Sequence, residues 1–474
     1  MTVSFYDTMS RAVREFVPLR PGAATIYTCG PTVYRHAHIG NLRTYITADV
    51  LRRVLQFDGF EIRQALNITD VGHMTDDSGE SGEDKMLLAV ADEGLSPKDI
   101  ADKYTQFFME HSAALNILPA SIYPKASDHI EEMLAIIVKL IEIGHAYEVD
   151  GTVYFDVDAF PAYGRLSQNT REHLRQGART ADVDPAKRNS YDFTLWRAAG
   201  AGRLMKWSSP WGEGYPGWHI ECSAMSLKHL GERFDIHTGG SDNIFPHHED
   251  EIAQSEGFLG HEVVGYWLHG HHLLSDGHRM AKSAKNYYTL DDILEHGLEP
   301  LAFRYLVMQA RYRSQMNFTW PALEAAQRGL QRMRRKAQEW GPASSVESDA
   351  ALSIDEEFRR AMLSDLDTPA ALKVVSKLES LGLPPGESAG LIASWDLILG
   401  LDLLRYTQGV PLPLGAGDLL GQRQSARAAK DFAEADRLRA ALSAMGVRVA
   451  DTPDGQIWTV SRSRDVTKFW GERP

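Results

Sequence analysis

Two cysteines, Cys29 and Cys222, are the only thiols in 474 residues, and each lies among side chains able to bind metal or move protons. Cys222 closes the run Gly217-Trp-His-Ile-Glu-Cys222, which is followed by Phe245-Pro-His-His-Glu-Asp-Glu251. If Pro246 starts a helix, His247 and Glu251 fall at i and i+4 on one face. With two thiolates they would offer nitrogen, oxygen and sulfur donors, a set suited to zinc. Cys29, arriving at the end of an apolar run, could supply the second thiolate, and His248 is a further ligand by composition. Spacing alone leaves the question open. The two cysteines do not form a Cys-x-x-Cys pair, and a buried cysteine is as readily an inert packing group.

A second cluster, Cys29-Gly-Pro-Thr-Val-Tyr-Arg-His-Ala-His-Ile-Gly-Asn41, puts His36 and His38 on a turn ahead of a helical pattern. A helix start presents free N–H groups and partial positive charge, and Gly40 lets a nucleotide approach the backbone. An imidazole there can stabilise charge that develops on a phosphate under attack. The plainer reading is a polar turn with incidental histidines. A third cluster, Gly277-His-Arg-Met-Ala-Lys-Ser283, reads as a mobile basic loop whose Lys282 could reach a triphosphate. A solvated basic turn has the same composition.

These residues need a scaffold that brings them together. Ala24 to Cys29 reads as a short strand, Gly40 to Phe57 as a helix and Phe60 to Thr69 as a second strand, which begins a βαβ unit. Ligands of such α/β sheets bind beyond the strand C-termini, near Cys29 and Thr69. At 474 residues the chain is long enough for about three domains and a substantial core without disulfide staples. The stretch Met133 to Ile143 is apolar but short and interrupted by Lys139 and Glu142, so it predicts a core helix rather than a membrane span. No secretory signal is visible at Met1 to Phe16, and a cytoplasmic enzyme is the expectation. A net charge of −14 argues against a protein that coats nucleic acid non-specifically, though not against a local basic face. From Leu301 the pattern turns helical, and Val410 to Gly417, rich in Pro and Gly, marks a boundary before a small C-terminal module.

Cys29-Gly-Pro-Thr-Val-Tyr34, His38-Ile-Gly-Asn41, Asn67-Ile-Thr-Asp-Val71, Gly217-Trp-His-Ile-Glu-Cys-Ser-Ala-Met225 and Phe245-Pro-His-His-Glu249 closely resemble, in type and order, the motifs of cysteinyl-tRNA synthetases. Tyr312-Arg-Ser314 with Asn317-Phe318, Asp367-Thr-Pro369, Lys430-Asp-Phe-Ala433 and Asp451-Thr-Pro453 extend the resemblance over nearly the whole chain. It implies an α/β fold: a class I synthetase Rossmann-like parallel-sheet catalytic domain with an inserted domain, then an α-helical tRNA-binding domain and a small C-terminal module. The implied divisions are 1–120 and 207–300 for the catalytic halves and 121–206 for the inserted connective region. Residues 301–409 would be the helical domain and 410–474 the anticodon-side module.

By the same resemblance, Cys29, Cys222, His247 and Glu251 match the family's ligands for one zinc ion. His38, Gly40 and Asn41 match the first ATP motif, and Lys282 and Ser283 the second, with His38, Asn41 and Lys282 as catalytic groups. Thr69, Trp218 and His237, with Cys29, fall where the family lines its aminoacyl-adenylate pocket, Trp218 against adenine. Implied partners are L-cysteine, ATP with Mg2+ and tRNA(Cys), with no membrane, and the implied state is a monomer. Basic residues Arg328, Arg332, Arg334, Arg335 and Lys336, and the cluster Arg423, Arg427, Lys430, Arg437 and Arg439, could track tRNA phosphates or be solvated helix faces.

Three places depart from the family pattern. Asn41 stands for the last histidine of the first motif, the second motif reads Arg279-Met-Ala-Lys-Ser283, and Gly72 to Glu83 replaces a short Asp-rich segment. Asparagine can still donate a hydrogen bond, and Arg279 keeps a positive charge. Two other activities fit parts of the pattern: a cysteine:amino-sugar ligase of mycothiol type, and a catalytically degenerate tRNA-binding paralogue. Leu301 to Pro474 argues against the first, and the retained Lys282 and metal donors against the second.

Overall fold

The computed structural model describes residues 2–72, 84–170, 172–173, 184–200, 202–280, 286–404, 415–429, 431–445, 447–452 and 455–460. Lys282, Ser283 and Lys430 lie outside the described residues, as does most of the Gly72 to Glu83 segment.

A hairpin of β1 (Ser4–Asp7) and β2 (Ala12–Glu15) leads into β3 (Ala23–Thr28), α1 (Ile39–Phe57) and β4 (Glu61–Leu66). This is the predicted βαβ unit. β3 buries Ala24 and Ile26 on one side and Tyr27 on the other, in two different apolar clusters, as the two-residue period of a strand requires. A strand apolar on both faces belongs inside a parallel sheet covered on both sides.

α2 (Lys85–Glu93) and α3 (Pro97–Ala114) follow, and residues 122–125 then run beside β4 before α4 (Ile130–Glu142), the predicted core helix. β5 (Ala146–Val149), β6 (Thr152–Phe155), β7 (Phe193–Ala198), β8 (Trp207–Ser209) and β9 (Gly212–Pro216) form one antiparallel sheet in the order β5-β6-β7-β9-β8. Its pairing runs on past residue 206 to Pro216, because β9 hydrogen-bonds to both β7 and β8.

α5 (Trp218–Leu230), β10 (Phe234–Gly240), α6 (Glu249–Leu259) and β11 (Val264–Gly270) complete the central sheet, whose order is β11-β10-β3-β4 with every pair parallel. The chain crosses from one half of the sheet to the other between β3 and β10. Beyond the ends of these two neighbours is the crevice where a doubly wound sheet takes its ligand.

β12 (Leu273–Ser275), β13 (His278–Arg279), α7 (Leu290–Glu295), α8 (Pro300–Met308) and β14 (Met316–Phe318) form a small connecting layer. The helices α9 (Trp320–Trp340), α10 (Asp349–Leu363), α11 (Thr368–Lys377) and α12 (Pro385–Leu399) come next. Their apolar residues belong to the same cluster as Ile26, Leu42 and Val54. The helical region and one face of the catalytic sheet therefore share a core. α13 (Ala416–Ala428), α14 (Phe432–Ala444), β15 (Val447–Thr452) and β16 (Gly455–Val460) form a small unit around Ala416, Leu420, Leu442 and Val447, separate from the other two clusters. Among the described residues, no helix is long and apolar enough to cross a membrane.

Two residues of the predicted basic faces turn inward. Arg334 lies on the α9 stripe that buries Leu323, Leu330 and Ala337, so its guanidinium is packed inside. There it donates to both oxygens of Glu299 at 2.8 Å and to the Leu401 carbonyl at 2.7 Å. Arg423 is buried too, donating to Gln456 Oε1 at 2.9 Å. Neither is free to track a phosphate. The exposed Arg328, Arg437 and Arg439 pair with carboxylates on their own helices.

Candidate active site and metal centre

β3 ends at Thr28, and the next residue is Cys29, whose N–H donates to the Thr238 carbonyl of β10 at 3.2 Å. Gly30 then passes so close to the chain at Asn67 that a Cβ would lie 1.6 Å from the Asn67 carbonyl oxygen. Only glycine fits, and the Gly30 N–H donates to Asn67 Oδ1 at 2.7 Å. Cys29 is thereby fixed at the crevice between β3 and β10.

Cys222 is carried by α5 and His247 by the turn at 244–248, and Glu251 lies one helical turn beyond His247 in α6. Donor atoms of Cys29, Cys222, His247 and Glu251 all lie within 4.8 Å of one another. His247 Nε2 is 3.1 Å from Glu251 Oε1, as the i, i+4 spacing predicts. The three donors other than Cys29 are buried.

The charges of this cluster are mutually arranged. Burial pushes the Cys29 thiol up, and Cys222 and Glu251 add to the effect. Cys222 is held down to about 7, chiefly by its hydrogen bond with Cys29. Burial favours a neutral Glu251, but His237 and His247 outweigh it and hold the carboxyl down to about 2. Burial likewise opposes protonation of His247, yet Cys222 and Glu251 push it well above the ordinary imidazole value. A buried thiolate and carboxylate thus draw positive charge to the point where they converge. Two sulfurs, one nitrogen and one oxygen fit a zinc ion better than magnesium or calcium, which prefer oxygen.

The donors are oriented from behind. His247 Nδ1 lies 2.6 Å from His219 Nδ1, and His219 Nε2 lies 3.3 Å from Asp250 Oδ2. His237 Nε2 holds the other oxygen of Glu251 at 2.9 Å while its ring stacks on Trp267, 4.8 Å between centroids. A second donor set, Cys29, His237, His248 and Glu251, also lies within 4.8 Å, and His248 Nε2 is 3.2 Å from Cys29 Sγ. His248 Nδ1 is joined to His269, and His269 to Thr8. Such outer partners fix ring orientation and donor basicity. Sequence reading did not find His219, Asp250, His269 or Trp267. Asp250 and His219 each stand one residue from a position it did name, or inside the same motif. What joins them is the packing of α5 against α6, which no local spacing displays.

The expected nucleotide turn lies at the start of α1. His38 is the N-cap, its Nδ1 accepting the Asn41 N–H at 3.1 Å while Asn41 Oδ1 accepts the His38 N–H at 3.3 Å. This is a capping box with histidine and asparagine in place of the usual pair. Burial, with Arg35 adding to it, pushes His38 down to about 4, so its ring is neutral near pH 7. With Nδ1 accepting, the ring proton sits on Nε2, ready to donate to an anion. A Cβ on Gly40 would lie 2.8 Å from both the His38 ring and the Met280 methyl. The loop that continues into Lys282 and Ser283 therefore departs from beside this turn, although those two residues are outside the described ones. Asp242 acts on both Cys29 and His38, which places the candidate metal donors and the expected nucleotide turn in one electrostatic neighbourhood.

Trp218 begins α5, half-buried, with Lys85 Nζ 4.5 Å from its ring centroid and His247 edge-on at 5.6 Å. It is a flat surface beside the donors. Thr69 is buried, donating to Glu221 Oε2 at 2.9 Å and accepting from Asn67 Nδ2 at 3.1 Å. Thr69 and His237, expected at the pocket wall, thus have polar atoms engaged by Glu221 and Glu251.

Residues 15–328 match the model of the tRNA synthetases class I (C) catalytic domain, and residues 410–458 that of the Cysteinyl-tRNA ligase anticodon binding domain. The chain is 46% identical over 460 residues to cysteine–tRNA ligase 1 of Burkholderia lata, covering 96% of each. It is 44% identical over 485 residues to the cysteine–tRNA ligase of Thermus thermophilus, covering 98% of this chain and all of the relative. Among solved structures, the fold is similar to Mycobacterium tuberculosis methionyl-tRNA synthetase bound by methionyl-adenylate, at 16% identity and a TM-score of 0.54 over 87% of this chain and 96% of that one. It is also similar to the Agrobacterium radiobacter LeuRS ternary complex, at 11% identity and 0.57 over 84% and 86%. With its parallel sheet, its crevice and these full-length relatives, the chain belongs to the cysteine–tRNA ligase family of class I aminoacyl-tRNA synthetases.

Proposed function

We propose that Cys29, Cys222, His247 and Glu251 hold one zinc ion with which this enzyme selects its amino acid in the reaction of its family, the ATP-dependent joining of L-cysteine to tRNA(Cys). The observation that carries this is the meeting of two sulfurs, an imidazole and a carboxylate at one buried point beside the nucleotide turn. Zinc bound there supplies affinity for a thiolate, which a serine hydroxyl does not match near neutral pH. Shape alone would separate cysteine from serine by only about 1–3 kcal/mol.

In the first step the cysteine carboxylate attacks the ATP α-phosphate in line, and pyrophosphate leaves with Mg2+. His38 donates from Nε2 to the phosphate oxygens, Gly40 and Asn41 keep the turn open at the helix start, and Lys282 with Ser283, which match the family's second ATP motif, supply charge and hydrogen bonds to the leaving phosphates. Trp218 packs on adenine, and Thr69 and His237 set the floor by holding Glu221 and Glu251. In the second step the terminal ribose of tRNA takes the acyl group. Positioning and charge stabilisation suffice, and no covalent enzyme intermediate is required.

The domain divisions are proposed as 1–120, 121–206, 207–300, 301–409 and 410–474, with the last binding the anticodon side of tRNA. We place the enzyme in the cytoplasm as a monomer, where reducing conditions keep both thiols available. The deciding experiment is cysteine-dependent exchange of pyrophosphate into ATP, with serine as control, followed by transfer to tRNA(Cys). Exchange with transfer supports the reading. Exchange without transfer points to the small-amine ligase, and neither, in folded zinc-loaded protein, to a degenerate binding module.

A further inference from the structure

We propose that His36, His111 and Asp291 form a second divalent-cation site, of the zinc, cobalt or nickel class, separate from the cysteine-bearing centre. The three residues come from the turn before α1, the last turn of α3 and the first turn of α7. One donor atom of each lies within 4.8 Å of the other two. His111 Nε2 is 3.3 Å from Asp291 Oδ1, and His36 Nδ1 is 3.5 Å from Asp291 Oδ2.

These separations bear on two accounts of the cluster. A charge-assisted histidine–carboxylate hydrogen bond closes to about 2.7–2.9 Å. Donors at the corners of a tetrahedron, each about 2.0–2.1 Å from a central zinc, stand roughly 3.3–3.4 Å apart. The His111–Asp291 contact is a long hydrogen bond at 3.3 Å, and both separations are also close to the tetrahedron edge. What separates the accounts is His36 Nδ1, a buried nitrogen with no hydrogen-bond partner, 3.5 Å from Asp291 Oδ2.

The surroundings suit the same assignment. The His36 ring is held by Phe107 at 4.4 Å and by Tyr104 at 5.2 Å, between centroids, which fixes its direction, and the His111 side chain is 7% exposed. Asp291, half exposed, leaves a way in for the ion and for water to fill the remaining coordination position. Two imidazoles and one carboxylate select a borderline transition metal over magnesium or calcium. Because His36 stands two residues before the His38 cap, the bound ion would tie α3 and α7 to the strand-to-helix turn that faces the nucleotide.

The test is a cobalt titration of the metal-stripped full chain, read by bound equivalents and by near-ultraviolet thiolate-to-cobalt absorption. Two equivalents are expected, of which one carries the thiolate band. Asp291→Asn and His111→Phe should each reduce binding to one equivalent with the thiolate band intact, which also reports that the chain has folded. Cys222→Ser should weaken the band and leave the second equivalent in place. If His111→Phe disrupts the fold, His36→Gln at the less buried ligand gives the same reading. One equivalent in the unaltered chain, or two in Asp291→Asn, would overturn the proposal.

Discussion

At Cys222 a single oxygen-for-sulfur exchange asks the central question. Cys222→Ser should lower zinc affinity by about 100-fold or more and weaken cysteine binding while sparing ATP, read by metal content and by titration with each substrate. His219→Ala removes no proposed ligand, yet it frees the Nδ1 side of His247, and zinc affinity should fall about 10–100-fold. Lys282→Ala should depress adenylate formation with zinc retained, and normal exchange in that variant would end the role assigned to it. The sequence named Cys29, Cys222, His247 and Glu251 together through the family resemblance, and the structure brings their donor atoms within 4.8 Å of one another. The relay behind them was not legible, since His219 and Asp250 acquire their roles only when two helices pack. Arg334 and Arg423 were misread for the converse reason: a run of basic residues does not tell which one lies on the apolar stripe.

Among the elements, α1 bears the most. Its N-terminus carries the capping box of His38 and Asn41, proposed as the nucleotide turn, and its middle carries the buried Asp49. That carboxylate meets Arg53 Nε at 2.7 Å and the Arg304 guanidinium at 2.6 Å, joining α1 to the helical region through α8. Burial alone would raise the Asp49 pKa, but Arg304 and Arg53 outweigh it and hold it below the usual carboxylate value. Its contribution to stability is therefore complete above the unfolded value of about 3.9 and is lost as pH falls through the lower folded value. Asp49→Asn would leave Arg304 buried without its counter-charge and should cost about 3–5 kcal/mol. In urea unfolding, the gap between variant and unaltered chain should hold between pH 7 and 5 and narrow below pH 4. The α1 helix was readable from its apolar period and β3 from its continuous apolar run. The hold of the helical region on the catalytic sheet was not, because Asp49 and Arg304 are distant in sequence and ordinary in type.

On the scale of the whole molecule, the apolar clusters divide the chain unevenly. Helices α8 to α12 share the core of the catalytic sheet, whereas α13, α14, β15 and β16 enclose a small cluster of their own. A chain ending at residue 404 should therefore keep its fold and its cysteine-dependent pyrophosphate exchange. Its KM for tRNA should rise by at least about tenfold, a loss of roughly 1.4 kcal/mol. Loss of exchange in that truncation would show that the C-terminal unit supports the catalytic core. The sequence expected a boundary at the Pro- and Gly-rich stretch Val410 to Gly417; residues 410–414 of it lie outside the described residues, and the separate apolar cluster begins at Ala416.

The four donors at the buried centre also set a clock. Cys29 emerges early in synthesis, but Glu251 is made 222 residues later. At about 5–20 residues per second, the first thiol waits roughly 10–40 s on the ribosome before its last partner exists. During that interval no closed metal site can shelter it. The Cys29 sulfur proposed to hold the zinc would spend its first moments as an ordinary reactive thiol, dependent on the reducing power of its surroundings.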